Sequence, residues 1–361
     1  MKFCIETIGC QQNEYDAANL ATFLKSNGFF ESSPEESDRI FILACSVRQT
    51  AVDRIFGRVR NYQKAGKKVY ITACVTDADK KKLKELGVVY FENFDQISEI
   101  FELPTTNYQL PTNLTSYIPI MTGCNNFCSY CIVPFTRGRE KSRPIEEIIS
   151  EAKNHTFHFS TAKLRSEKLE IILLGQNVNS YKIDQKTKIK NQNDKSKIQK
   201  EKTDFVKLLK EISKIDGDFQ ISFLSNHPKD VGDDLIEAIA TLPKVKKEIH
   251  LPLQSGSDKI LKAMNRPYTS QQYLDLVENC KLKIENLKIT TDIIVGFPGE
   301  TEEDFQQTVE VCKKVGFALG YINKYSPRHG TASYKLGDPI SWAEKQRRWK
   351  ILDELINKKI S

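Results

Sequence analysis

The 361-residue sequence contains no apolar run near the ~18 residues needed to cross a bilayer, so a membrane-spanning helix is excluded. Glu6 interrupts the opening MKFCIETIGC where a secretory leader needs its apolar stretch, and a cytoplasmic location is expected. A set of paired disulfides is also missing. The nine cysteines are odd in number, and a reducing compartment keeps thiols free, which leaves metal or redox chemistry as their expected use. A broadly spread positive charge is absent as well. The formal charge is +7, but residues 182–203 hold eight Lys against Asp184, Asp194 and Glu201, a net +5, and the rest of the chain is close to neutral. Charge alone therefore gives weak evidence for a nucleic-acid partner.

What is present suits a folded chain. Hydrophobic residues make up 39% and charged residues 28%, ordinary for globular proteins. The length allows two or three domains at roughly 100 to 200 residues each. Through residues 1–103, β-branched apolar runs (KFCIETI, RIFILA, KVYITA) alternate with helical patterns (NEYDAANLATFLKSNG, 52–64, KKLKELG). Such alternation predicts a small doubly wound α/β domain with a parallel sheet. Gly28 and Gly66 fall where helices should stop.

Residues 104–116, rich in Pro, Thr and Asn, lack either periodicity and are expected to be a linker. From 117 to 340 there are six strand-like segments: YIPIM, LEIILL, FQISFL, KEIHLP, KITTDIIV and LGYINKY. Helical patterns separate them, which predicts an incomplete (βα)6 barrel with its chemistry at the strands' C-terminal ends. The Lys-rich tract 182–203 interrupts that barrel after its second strand and is expected to be a mobile, exposed insertion. Residues 341–361 read as one basic amphipathic helix.

The cysteines form two groups. GCNNFCSYC sets Cys124, Cys128 and Cys131 in a C-x3-C-x2-C spacing directly after the first barrel strand. Thiolates that close can wrap one face of an iron-sulfur cube and leave the fourth iron open. A structural zinc would need a fourth ligand, and the nearest histidine is His155. Cys10, Cys45 and Cys74 are far apart in sequence, yet each ends an expected parallel strand, and in an open sheet those ends share the edge where ligands bind. A second cluster and simple burial are both compatible with that placement. Cys4, Cys280 and Cys312, in a strand and in helical patterns, are assigned to packing.

The spacing GCNNFCSYC, with Tyr130 before its last cysteine, resembles the radical S-adenosylmethionine (radical SAM) superfamily. The strings GCQQNEYD, ACSVRQTAVDRIFGRV, LLGQNVNSY, SNHPKD, HLPLQSGSDKILKAMNRPYT, DIIVGFPGET and YSPRHGT, spread over residues 9–331, resemble the methylthiotransferases. Within these they look most like the type acting on isopentenyladenosine in tRNA. The resemblance implies two 4Fe-4S clusters, one on Cys124, Cys128 and Cys131 that binds and cleaves SAM, and one on Cys10, Cys45 and Cys74 that carries the sulfur. The product would be a methylthio group at C2 of N6-isopentenyladenosine at position 37, beside the anticodon.

The same resemblance implies a flavodoxin or ferredoxin as electron donor, tRNA as partner, and a monomer. The alternatives are the same chemistry on threonylcarbamoyladenosine or a ribosomal protein, or a non-catalytic iron-sulfur RNA-binding protein. Polar residues at barrel strand ends are candidates for holding SAM and substrate: Gln176, Asn177, Ser225, Asn226, Gln254, Ser255 and Asp292, with the loop 296–300 in support. Arg137, Arg139, Lys141 and Arg143 are either a solvated charged loop or tRNA phosphate contacts. Family members continue into a small RNA-binding TRAM domain, and this sequence ends before one.

Overall fold

The structure, a computed structural model, describes residues 1–47, 49–103, 115–161, 169–183 and 204–358. Nearly all of the expected linker 104–116 and of the Lys-rich tract 182–203 lies outside the described residues. The chain divides into two compact units, Met1–Asn113 with Cys131–Gly138 and Arg328–Gly330, and the remainder.

In the first unit, β1 (Lys2–Thr7), α1 (Gln11–Ser26), β2 (Phe30–Glu31), β3 (Arg39–Cys45), α2 (Gln49–Lys64), β4 (Lys68–Cys74), α3 (Asp77–Glu85), β5 (Val89–Tyr90) and α4 (Phe94–Phe101) follow one another. The strands pair in parallel in the order β2-β1-β3-β4-β5. The two-residue edge strands β2 and β5 were not expected; they are too short to show a periodicity. Successive residues of β3 point to opposite faces, so Ile40 and Ile42 pack with Ile55 and Val59 of α2, and Phe41 and Leu43 pack with Leu20, Phe23 and Leu24 of α1. Covering both faces is why β3 reads as an unbroken apolar run. Each fully buried Leu, Ile or Phe contributes roughly 1.5–3 kcal/mol.

The second unit begins with β6 (Thr115–Pro119) and a small antiparallel pair, β7 (Met121–Thr122) with β8 (Lys141–Ser142). Between these, α5 (Val133–Thr136) falls in the segment that belongs to the first unit. Next come α6 (Ile145–Thr161), β9 (Leu169–Leu174), α7 (Asp204–Ser213), β10 (Phe219–Phe223), α8 (Asp233–Thr241) and β11 (Glu248–His250). The unit closes with α9 (Asp258–Ala263), α10 (Ser270–Lys283), β12 (Lys288–Val295), α11 (Glu302–Val315), β13 (Leu319–Lys324) and α12 (Trp342–Ile356). Parallel trios β6-β9-β10 and β11-β12-β13 are joined by the bridge Ile221–Val245, giving six parallel strands in chain order. That run is the open (βα)6 barrel the sequence predicts.

Helix starts in this unit are written in the sequence. Thr269 and Thr301 form capping boxes with Gln272 and Asp304. Two of the four cations of α12, Lys345 and Arg348, are turned inward, while Arg347 and Lys350 are exposed. Lys345 is buried and donates to Tyr325 O at 2.9 Å, Arg348 donates to Glu300 Oε2 at 2.7 Å, and Trp349 Nε1 donates to Ile322 O at 3.0 Å. A helix anchored through two of its cations and an indole is part of the barrel. No helix among the described residues is long and apolar enough to cross a membrane.

Candidate functional site

The sheet of the first unit brings two of its cysteines side by side. Cys45 and Cys74 are register partners at the ends of β3 and β4. Cys10 is exposed at the N-cap position of α1, and both it and Cys45 act electrostatically on the Cys74 thiol. Ala73, just before Cys74, adopts φ 79°, a left-handed conformation that alanine rarely takes and that turns the strand end sharply. Behind Cys10, Asn13 is fully buried and donates to Leu43 O at 3.3 Å and Ala44 O at 3.0 Å, tying α1 to the end of β3. Gly9 is required beside it, because a Cβ there would sit 2.1 Å from the Asn13 amide nitrogen.

Burial pushes the Cys74 thiol up to about 11, against the pull of Arg137. Arg137 Nε donates to Cys74 Sγ at 2.7 Å, and its guanidinium also reaches Asn13 Oδ1 at 3.3 Å. Both readings given to Arg137 in the sequence, a solvated charged loop and a phosphate contact, are therefore corrected. This side chain is only 14% exposed and is engaged within the first unit.

In the second unit, Cys124 and Cys128 are buried, and burial raises the Cys124 thiol, followed in the same direction by the nearby Cys128. Phe127, before Cys128, is also left-handed, at φ 47°. The loop is fastened to the C-terminal end of α9: Ser129 N donates to Met264 O at 2.9 Å and Ser129 Oγ to Ala263 O at 2.8 Å, while Asn265 Nδ2 donates to Phe127 O at 3.0 Å. Arg266, 7% exposed, sends one guanidinium nitrogen toward Cys128 Sγ at 3.5 Å and donates to Pro252 O at 3.0 Å and Tyr268 Oη at 2.9 Å. Burial opposes the charge of Arg266, and Tyr130, Tyr268 and Cys128 more than offset it. Sequence reading missed Met264–Arg266 as a support; the string AMNRPYT marked it only as a family resemblance. Cys131 is partly buried and opens the segment that folds with the first unit.

Among the described residues no three His, Cys, Asp or Glu side chains converge on a point that would hold a single metal ion. Thiolates that each take a different iron of a cluster need not converge so tightly. The donors are soft thiols with an arginine beside one sulfur of each set, which suits an iron-sulfur cluster better than a hard cation.

The polar candidates at the barrel strand ends separate into two sets. Buried side-chain atoms without a hydrogen-bond partner gather after β9, β10 and β11: Gln176 Oε1, Asn177 Oδ1, both polar atoms of the Asn179 amide, Asn226 Oδ1, His227 Nε2 and Gln254 Oε1. An unmet buried polar group costs about 1–3 kcal/mol, so this end is built for polar partners such as a ligand or ordered water. Ser225 and Gln254 are left-handed, at φ 67° and 66°. Asp292 Oδ2 instead meets His250 Nε2 at 3.0 Å, and His250 Nδ1 meets Thr290 Oγ1 at 2.9 Å.

Ser255 is a correction. It is fully buried, and its hydroxyl lies 3.4 Å from Thr308 Oγ1 and accepts from Ser257 N, so it supports the loop rather than facing a ligand. Glu300 of the 296–300 loop accepts from Gly296 N and Arg348, which makes that loop a brace for α12. His227 was not foreseen. Its pKa is lowered to about 2 by burial first and then by Arg266 and Lys229, and Nδ1 accepts from Lys229 N. The ring is thus neutral with its proton on Nε2, a donor.

The basic residues after the cysteine loop also divide. Arg143 donates to Pro119 O at 2.7 Å and pairs with buried Glu151 at 2.9 Å, a role in the fold. Arg139 stacks over Phe127 with its carbon 4.2 Å from the ring centroid, and Lys141 is exposed in β8.

A model of the Radical SAM superfamily matches residues 118–312, and one of the uncharacterized protein family UPF0004 matches residues 2–91. The tRNA-2-methylthio-N(6)-dimethylallyladenosine synthase of Thermotoga petrophila is 37% identical over 391 aligned residues, covering 100% of this chain and 83% of that protein. The protein of the same name from Alkaliphilus oremlandii is 38% identical, covering 99% and 78%. Among solved structures, the cobalamin-dependent SAM radical enzyme OxsB with aqua-cobalamin bound superposes with a TM-score of 0.56 at 8% identity over 99% of this chain and 56% of that one. The radical SAM methyltransferase TsrM from Kitasatospora setae gives 0.58 at 11% identity over 90% and 74%. Those two likenesses show the fold. The superfamily match over residues 118–312 and the 37% identity over the whole of this chain establish that the chain belongs to the radical SAM superfamily and, within it, to the methylthiotransferase family of the tRNA-2-methylthio-N6-dimethylallyladenosine synthases.

Proposed function

We propose that this chain inserts a methylthio group at C2 of N6-isopentenyladenosine at position 37 of tRNA. Cys124, Cys128 and Cys131 would hold the 4Fe-4S cluster that binds SAM, and Cys10, Cys45 and Cys74 would hold a second cluster. Gln176, Asn177, Ser225, Gln254 and Asp292 are the proposed contacts to SAM or the base. The observation that carries the reading is the presence of two cysteine sets, each with an arginine on one sulfur, in a chain collinear with the synthases.

When bound, the clusters and SAM supply the electron, the carbon radical and the sulfur that an unreactive aromatic C–H requires. The chain's own work is to place and shield. Left-handed Ala73 and Phe127 fix the strand end and the loop that present Cys74 and Cys128. The unmet carbonyl oxygens of Gln176, Asn177 and Gln254 offer acceptors, and neutral His227 offers an Nε2–H donor. Asp292, held by His250, keeps an orientation it would otherwise lose. The target base belongs to a loop whose bases can be splayed out and stacked, the form of RNA that proteins read best. A small reductant of the flavodoxin or ferredoxin class, a monomeric enzyme and a cytoplasmic setting complete the reading.

The test is anaerobic. Reconstituted protein, SAM and reductant are mixed in parallel with isopentenylated and threonylcarbamoylated tRNA, and the digested nucleosides are weighed by mass spectrometry. A methylthio gain on the isopentenylated base alone is expected. Gain on the threonylcarbamoylated base instead, or on neither, contradicts the proposal.

A further inference from the structure

Two short stretches remote in sequence from residues 1–103 fold as part of the first unit, and each brings one arginine to the edge where Cys45 and Cys74 lie. From Cys131–Gly138, Arg137 donates through Nε to Cys74 Sγ at 2.7 Å. From Arg328–Gly330, Arg328 donates through Nη1 to Gln49 Oε1 at 2.8 Å and lies within electrostatic reach of Cys45, Asp79 and Asp53. Both are withdrawn from solvent, Arg328 to 5% exposure. Removing a guanidinium from water costs several kcal/mol unless an anion faces it. The carboxylate facing Arg137 is Asp16, and it comes no nearer than 4.0 Å. The Arg137 Nε donates to a sulfur. Two permanent cations therefore border a set of thiols, an arrangement that balances once those thiols are thiolates on iron.

We propose that Arg137 and Arg328 are positioning residues of the second cluster, Arg137 through its N–H···S bond to Cys74 and Arg328 through its charge near Cys45, and that together they raise that cluster's reduction potential. The proposal rests on the reading that Cys10, Cys45 and Cys74 are cluster ligands. The physical reason is direct. Reduction adds negative charge to the cluster, a neighbouring cation stabilises the reduced form more than the oxidised one, and hydrogen bonds to the ligand sulfurs act in the same direction. Arginine is suited to this because its charge does not titrate away and its fork can hold Asn13 and a sulfur at once.

The experiment uses the full chain carrying Cys124→Ala, Cys128→Ala and Cys131→Ala, so that the second cluster alone assembles. Iron and sulfide are counted first, and the midpoint potential is then read by electron paramagnetic resonance during an anaerobic redox titration. In that background, Arg137→Met is expected to favour the oxidised cluster at least about tenfold, which for one electron is a shift of ~59 mV to more negative potential. Arg328→Met should move it the same way by less, and Arg137→Lys should restore part of the loss. Unchanged midpoints in variants that retain full iron would overturn the proposal. If Arg137→Met loses its iron, Arg137→Lys and Arg328→Met still decide the question. A triple-alanine background that binds no iron at all would instead sink the ligand assignment beneath it.

Discussion

The two cysteine sets reach similar surroundings by opposite routes. Cys124 and Cys128 are four residues apart on one short loop, and their support comes from a distant helix end, Ala263 to Arg266. Cys10, Cys45 and Cys74 are spread over 65 residues; the register of a parallel sheet sets Cys45 beside Cys74, Cys10 stands at the N-cap of α1, and two remote segments supply the arginines. A loop site is local in its cysteines and non-local in its braces. A sheet-edge site is non-local in both, so its integrity depends on the fold of its whole unit. Both depend on left-handed residues, Phe127 before Cys128 and Ala73 before Cys74, where backbone strain fixes the direction of a cysteine.

The sharpest way to break the loop site without touching a cysteine is Arg266→Met. The change removes the buried guanidinium that donates to Tyr268 Oη and Pro252 O and takes away the cation beside Cys128, while Tyr268 Oη keeps its own bonds to Pro252 O and Leu253 O. A loss of about 3 kcal/mol in stability is expected from the lost charge-assisted hydrogen bonds. Iron loading at Cys124, Cys128 and Cys131 should fall while loading at the sheet edge persists, as measured by denaturant unfolding and iron counts in single-cluster variants. The matching change at the sheet edge is Gly9→Ala, which forces Asn13 away from Leu43 O and Ala44 O. It should cost about 1–3 kcal/mol and lower iron loading at Cys10, Cys45 and Cys74 alone.

Acid should separate the two units by a smaller margin. Burial works to raise the Asp304 carboxyl, but hydrogen bonds from Lys259, Thr301 and Ser257 outweigh it and hold the pKa at about 2. Its stabilising contribution is complete above the unfolded value near 3.9 and is lost as pH falls toward about 2. Asp16 in the first unit has the opposite sign. Its pKa is raised by burial against the pull of Arg137, so protonation there relieves the native state. Between pH 4 and 2 the second unit should therefore weaken relative to the first. Asp304→Asn should cost about 1 kcal/mol at neutral pH and flatten that acid slope, as followed by thermal melts across the window.

The strands β9 and β12 were legible to the residue, because LEIILL and KITTDIIV carry β-branched runs bounded by polar ends. Cys10, Cys45 and Cys74 could be grouped only after the strands were recognised, since nothing in their spacing marks them. The braces could not be read at all. Arg137 sits in TRGREKSRP, which has the composition of a solvated loop, and its partner Cys74 is 63 residues away. His227 and Arg266 gain their roles from burial, which a local window does not record. Ser255 stood at a strand end, as a ligand-facing residue should, but its side chain turns to Thr308.

The division of labour between the two sites is the central claim, and one paired assay tests it. Cys128→Ala and Cys45→Ala are reconstituted side by side, and each is given SAM, reductant and isopentenylated tRNA under anaerobic conditions. Cys128→Ala should abolish SAM cleavage. Cys45→Ala should continue to cleave SAM while producing no methylthiolated nucleoside. Cleavage that survives the first change, or methylthiolation that survives the second, would contradict the account.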